Sequence, residues 1–148
     1  MPYRKIVAGT DGSATATRAL RHAAGIAKAE GGELLIVCVY HPPSPEKIAR
    51  EIAAAPAEVA WRVTGTAAAE EIVAAAAEVA SKEGVAAKTF VEPGDAADRL
   101  LSVAESEGAD LIVVGNKGMT GVSRFVLGSV PNRVSHHAPC DVLIIRTT

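Results

Sequence analysis

Aromatic side chains are scarce: one Trp, two Tyr and two Phe make up 3% of 148 residues. The core of such a chain must be aliphatic, and a flavin-type site that packs aromatic rings around its cofactor has little to draw on. Cysteine is almost absent. Cys38 and Cys140 each fall in or beside an apolar run that predicts a buried strand; they read as small core residues, not as a disulfide framework. Neither sign of charge dominates, with 15 Lys and Arg against 17 Asp and Glu for a net charge of −2. That balance argues against a nucleic-acid surface, which needs a concentrated basic face. No apolar run approaches the roughly 20 residues that span a bilayer, and the few apolar residues between Met1-Pro2-Tyr3-Arg4-Lys5 and Gly9 are too short for a signal peptide. The expectation is a single cytoplasmic domain over 1–148 with no membrane and no nucleic-acid partner.

What the chain does have is alternation of apolar strands with helical stripes. Ile6-Val7-Ala8 and Leu34-Leu35-Ile36-Val37-Cys38-Val39-Tyr40 are continuously apolar, as parallel strands covered on both faces are. Leu111-Ile112-Val113-Val114 and Val142-Leu143-Ile144-Ile145 read the same way, and 85–91 alternates like an outer strand with Lys88 facing water. Between them lie helical stripes: Leu20, Ala23, Ala24, Ala27 after a Ser13 cap; Ile72, Ala76, Val79, Ala80 within 67–83; Ala97, Leu100, Leu101, Ala104 after an Asp95 cap. Gly31-Gly32, Gly84 and Gly108 stop these helices, and Glu92-Pro93-Gly94 reads as a turn. The irregular connection 41–66 contains a predicted short helix over 46–54 and the single tryptophan, Trp61, which either packs this connection or stacks on a base. The fold class is α/β: an open five-stranded parallel sheet with helices on both faces.

The most informative stretch is 115–129, Gly-Asn-Lys-Gly-Met-Thr-Gly-Val-Ser-Arg-Phe-Val-Leu-Gly-Ser, which runs from a buried strand into a helix over 130–136. Glycines let a backbone turn sharply or lie against a ligand, and a helix N-terminus offers free amides and a positive dipole end. Ser129 is the expected N-cap, with Pro131 in the first turn. Neither the P-loop pattern Gly-x4-Gly-Lys-[Ser/Thr] nor Gly-x-Gly-x-x-Gly occurs. Instead the spacing is Gly115-x2-Gly118-x9-Gly128-Ser129, which reads either as a phosphate cradle made of main-chain amides or as a strand-to-helix connection with flexible glycines. Lys117 and Arg124 add mobile positive charge, as phosphate partners or as solvated loop residues.

That spacing, the opening Ile6-Val7-Ala8-Gly9-Thr10-Asp11-Gly12-Ser13 and the closing His137-Ala138-Pro139-Cys140 together resemble the universal stress protein family over nearly the whole chain. The resemblance implies a Rossmann-like sheet of the adenine nucleotide alpha hydrolase-like kind, with strand order 3-2-1-4-5. It implies adenine near Thr10, Asp11 and Val39, with Gly9 beside them, and ribose near Gly115, with Asn116 among the nucleotide-binding residues. Phosphates would lie on Gly118 and on Gly128, Ser129 and Val130, with Lys117 and Arg124 in reach. ATP is the favoured cofactor. Mg²⁺ would then reconcile Asp11 with the phosphates, directly or through water, although Asp11 can also cap the amides of its own turn. Gly9, where ATP binders often carry a bulkier residue, keeps cyclic AMP open. The resemblance also implies a homodimer through the terminal strand, Val142 to Ile145.

An enzyme is the competing class. No Gly-x-Ser-x-Gly elbow is present. A phosphate-accepting receiver domain would want clustered acids after the first strand, where Asp11 stands alone. A metal site would need more ligands than His136 and His137, which complement the dipole at a helix end. A cradle of amides binds phosphate without supplying a nucleophile, so ATP hydrolysis is expected to be slow at most. A dimeric interaction module with a vestigial nucleotide site is the third reading.

Overall fold

In the computed structural model the described residues are 2–41, 46, 49–50, 53, 66–116 and 127–147. Along the chain they form β1 (Lys5–Gly9), α1 (Ala14–Glu30), β2 (Glu33–Tyr40), α2 (Thr66–Lys82), β3 (Ala87–Pro93), α3 (Ala96–Glu107), β4 (Leu111–Gly115), α4 (Ser129–His137) and β5 (Asp141–Ile145). The strands make one sheet in the order β3-β2-β1-β4-β5, and every pairing is parallel. Val7 at the centre pairs with Leu35 on one side and Ile112 on the other.

The continuous apolar runs have a direct cause. Successive side chains on a strand point to opposite faces, and both faces here are covered. Ile6, Ala8, Leu34, Ile36, Cys38, Leu111 and Val113 pack with α1 and α2. Val7, Leu35, Val37, Ile112 and Val114 pack with α3 and α4. Burial pushes the Cys38 thiol above its ordinary pKa, so this cysteine behaves as an uncharged core residue. Cys140 is also unpaired. The α1 stripe is buried against the sheet in full. In α2 only Ala76 and Ala80 of the expected stripe are buried, with Ala69 and Val73, and Ile72 and Val79 are half-buried beside them. In α3 Ala97, Leu100 and Ala104 are buried and Leu101 is half-buried.

The helix caps are local and match the chemistry. Ala16 N–H donates to Ser13 Oγ at 3.1 Å, and Asp98 N–H donates to Asp95 Oδ2 at 3.0 Å. Gly31 and Gly108 end α1 and α3 in the left-handed conformation. One turn differs from expectation. Glu92 and Pro93 belong to β3, and the chain turns only at Gly94, with φ of 123°. Proline is tolerated because β3 is an edge strand: Gly94 N–H points inward to Tyr40 O at 3.0 Å, so the Pro93 nitrogen faces away from β2. Of the expected helix over 46–54, the described residues 46, 49, 50 and 53 are helical. Trp61 lies outside the described residues.

Candidate functional site

The chain winds away from β1 in both directions, because β1 is followed by β2 on one side while β4 returns to its other edge. A crevice opens beyond the carboxyl ends of strands at such a reversal. A cavity of about 310 Å³ occupies it, lined by the ends of β1, β2 and β4 and by the first turns of three helices. Gly9, Thr10, Asp11, Val39, Gly115, Gly128, Ser129 and Val130 all line it.

These helix ends are not equivalent. At α1, Ser13 caps its own helix, while Asp11 Oδ1 accepts from Ser13 N–H at 2.9 Å. Thr10 is similarly engaged, its Oγ1 accepting from Gly12 N–H at 3.1 Å. At α3, Asp95 caps the helix, and Arg133 of α4 donates to Asp95 and Asp98. The Asp98 amide, seconded by Arg133, holds the Asp95 carboxyl below its ordinary pKa. At α4 the N-cap is Gly128, which has no side chain to accept a hydrogen bond. Ser129 and Val130 line the cavity, and as first-turn residues their amides have no intrahelical carbonyl of their own. A pocket wall of this kind suits an anionic acceptor.

Two expectations about this turn change. Ser129 is not the N-cap but the first helical residue. The cap is the residue with extended backbone whose carbonyl takes the first helical bond, and Gly128 (φ −62°, ψ 163°) accepts from Asn132 N–H at 3.0 Å. The Gly128 amide is also spent, donating to Asn116 O at 2.9 Å, so it is not a free phosphate donor. Asn116 itself is not among the residues lining the cavity; its side-chain oxygen accepts from Thr147 N–H at 2.9 Å. Lys117, Gly118 and Arg124 lie outside the described residues.

Spacing alone missed Ala96 and Leu100 of α3, which line the cavity on the same side as Val37 and Val114. The topology could have supplied them, since α3 carries the chain from β3 to β4 and must cross β2 and β1. Leu100 also qualifies the role of Gly9. A Cβ on Gly9 would stand 3.1 Å from both Leu100 methyl carbons, so the room glycine creates is shared with Leu100. Asp11 is the only charged side chain among the described lining residues. Among the described residues no group of three or more His, Cys, Asp or Glu could hold a metal ion. None of their helices is long and apolar enough to cross a membrane.

The family model described as "Universal stress protein family" matches residues 2–146. The universal stress protein Rv1636 of Mycobacterium tuberculosis is 41% identical over 149 aligned positions, covering 99% of this chain and 98% of its own. A universal stress protein solved in complex with cAMP superposes with a TM-score of 0.76 at 30% identity, covering 100% of both chains. The universal stress protein from Archaeoglobus fulgidus, solved in complex with dAMP, gives a TM-score of 0.68 at 26% identity, covering 99% of this chain and 100% of that one.

Proposed function

Because the chain belongs to the universal stress protein family, we propose that it is a regulatory protein that binds an adenine nucleotide in the crevice between β1 and β4. The observation that carries this is the α4 N-terminus, where Ser129 and Val130 line the cavity behind a cap without a side chain. The base lies against the apolar wall of Val37, Val39 and Leu100, and the phosphate lies on the α4 amides. Binding, not turnover, is the task of such a site, since a cradle of main-chain amides holds phosphate without itself supplying a nucleophile. In this reading the protein works in the cytoplasm.

A nucleotide with one phosphate, cyclic AMP, is the ligand we favour. The one charge on the described wall is the anionic Asp11, and a phosphate diester with a single negative charge makes less demand for a compensating cation than a triphosphate does. The nucleotides in the complexes of two structural neighbours, cAMP and dAMP, have one phosphate each. ATP is the second reading, favoured by the spacing Gly115-x2-Gly118-x9-Gly128-Ser129. It would call on Lys117, Arg124 and Mg²⁺. One Asp11 oxygen already accepts from Ser13, so the phosphates would supply most of the metal's ligands. Calorimetric titration with cyclic AMP, and with ATP with and without Mg²⁺, decides the matter. Cyclic AMP is expected to bind without metal; tighter binding of ATP, dependent on Mg²⁺, would reverse the preference. Failure of both would remove the proposal.

A homodimer through β5 is the second part of the proposal. Asn116 N–H donates to Ile145 O at 2.8 Å, which turns the peptide groups of Ile145 and Leu143 toward β4. By alternation, those of Val142 and Ile144 face outward along a sheet edge, where an uncovered strand invites another chain. Val142→Pro removes one outward donor and leaves the β4 ladder intact. The expected result in sedimentation is a shift from dimer to monomer; an unchanged dimer would place the interface elsewhere.

A further inference from the structure

We infer that Asn116 and Thr147 form a latch that positions the anion-binding turn from outside the cavity. The inference rests on the nucleotide site proposed above and gives a part in it to residues that do not touch the ligand.

Asn116 is the first residue after β4, next to Gly115 on the cavity wall. Its main chain joins two segments: its N–H donates to Ile145 O at 2.8 Å, and its carbonyl accepts from Gly128 N–H at 2.9 Å. Its side-chain oxygen is held twice by one residue, from Thr147 N–H at 2.9 Å and Thr147 Oγ1 at 3.1 Å. Thr147 is one of the two polar residues buried among those described, at 6% exposure, and its carbonyl accepts from Arg18 Nη1 of α1 at 3.4 Å. Nothing of Thr147 lines the cavity.

The physical consequence runs through one peptide unit. Two donors on Oδ1 fix the side chain of Asn116, and with it the direction of the Asn116 carbonyl. That carbonyl sets Gly128, and Gly128 is the cap whose neighbours Ser129 and Val130 present their amides. An amide already aimed at its acceptor costs less to order on binding than one that must be captured. Threonine at 147 thereby contributes to affinity without contact.

The test is calorimetric titration with cyclic AMP and with Mg·ATP on four variants. Thr147→Val keeps the shape but loses one donor and is expected to weaken binding about 3- to 10-fold, the scale of ordering a few groups. Thr147→Ser restores the hydroxyl and is expected to bind as the wild type does. Asn116→Ala is expected to weaken binding at least as much as Thr147→Val. Adding Thr147→Val to Asn116→Ala is expected to cost nothing more, because the latch is already open. Wild-type affinity in Thr147→Val, failure of Thr147→Ser to rescue, or losses that multiply in the double variant would each overturn the latch while leaving the site. A wild-type protein that binds neither nucleotide would overturn the site, and the latch with it.

Discussion

Ser129→Pro is expected to weaken nucleotide binding about 10- to 100-fold while leaving the thermal midpoint unchanged or slightly raised. Ser129 is the first helical residue of α4, a position that proline favours because its ring presets the helical φ and its missing N–H has no helical partner. Gly128 before it is extended at φ −62° and ψ 163°, the region a residue preceding proline prefers, and it carries no Cβ to meet the ring. The fold therefore has no reason to object. The ligand does: one main-chain donor on the cavity wall is gone. A hydrogen bond to a charged group contributes about 1.5–3 kcal/mol, and about 1.4 kcal/mol is a factor of ten in affinity. Ser129→Ala serves as the control. It keeps the amide, loses only the hydroxyl, and is expected to bind within about twofold of wild type. If proline binds as alanine does, the amide at 129 does not hold phosphate; if alanine is as weak as proline, the hydroxyl is the donor that matters.

That experiment turns on a residue whose local role was misassigned from sequence, for an instructive reason. Serine is the better capping side chain, so the sequence predicts 129 as the cap of α4. The cap is decided by backbone conformation and by which carbonyl opens the helix, and Gly128 fills both roles. Glycine there leaves the helix end without an internal acceptor, which is the property a ligand site needs. The caps at Ser13 and Asp95 were legible because each is a bond within four residues of chain. The order β3-β2-β1-β4-β5 was legible only by combining apolar runs with the family resemblance, since no single strand encodes its neighbour. The strand-end residues of the site followed from that order. Ala96 and Leu100 are invisible to motif spacing, because they lie on a helix and not at a strand end, although the same order makes that helix cross β2 and β1. The hold of Thr147 on Asn116 spans 31 positions and leaves no periodic trace at all.

Gly32→Ala is expected to destabilise the fold by about 1–3 kcal/mol, the usual cost of overpacking, and to leave nucleotide affinity untouched. Gly31 and Gly32 close α1 as a Schellman motif: Gly31 takes the left-handed conformation at φ 71°, and Gly32 N–H reaches back to Ala27 O at 2.9 Å. The two glycines are needed for different reasons. A side chain on Gly31 would meet open space, so its cost is the strain of a left-handed residue, roughly 1–2 kcal/mol. Gly32 has no left-handed φ, but a Cβ there would stand 2.4 Å from Tyr3 O and 2.9 Å from Arg4 O. Those are main-chain atoms entering β1, and Arg4 O already accepts from Glu33 N–H at 2.8 Å. A flexible side chain could swing aside; a carbonyl at the start of a paired strand cannot, so the first rung of the β1–β2 ladder must open. The effect belongs at the upper end of the range, with a melting point lower by about 2–4 °C for each kcal/mol. Urea denaturation is expected to show a lower midpoint at an unchanged slope. The cavity lies at the opposite ends of these strands, so affinity at temperatures where both proteins are folded is expected to match. Wild-type stability in Gly32→Ala would mean that the approach of α1's end to β1 is loose, and with it the register that brings Gly9 level with Val37 at the site.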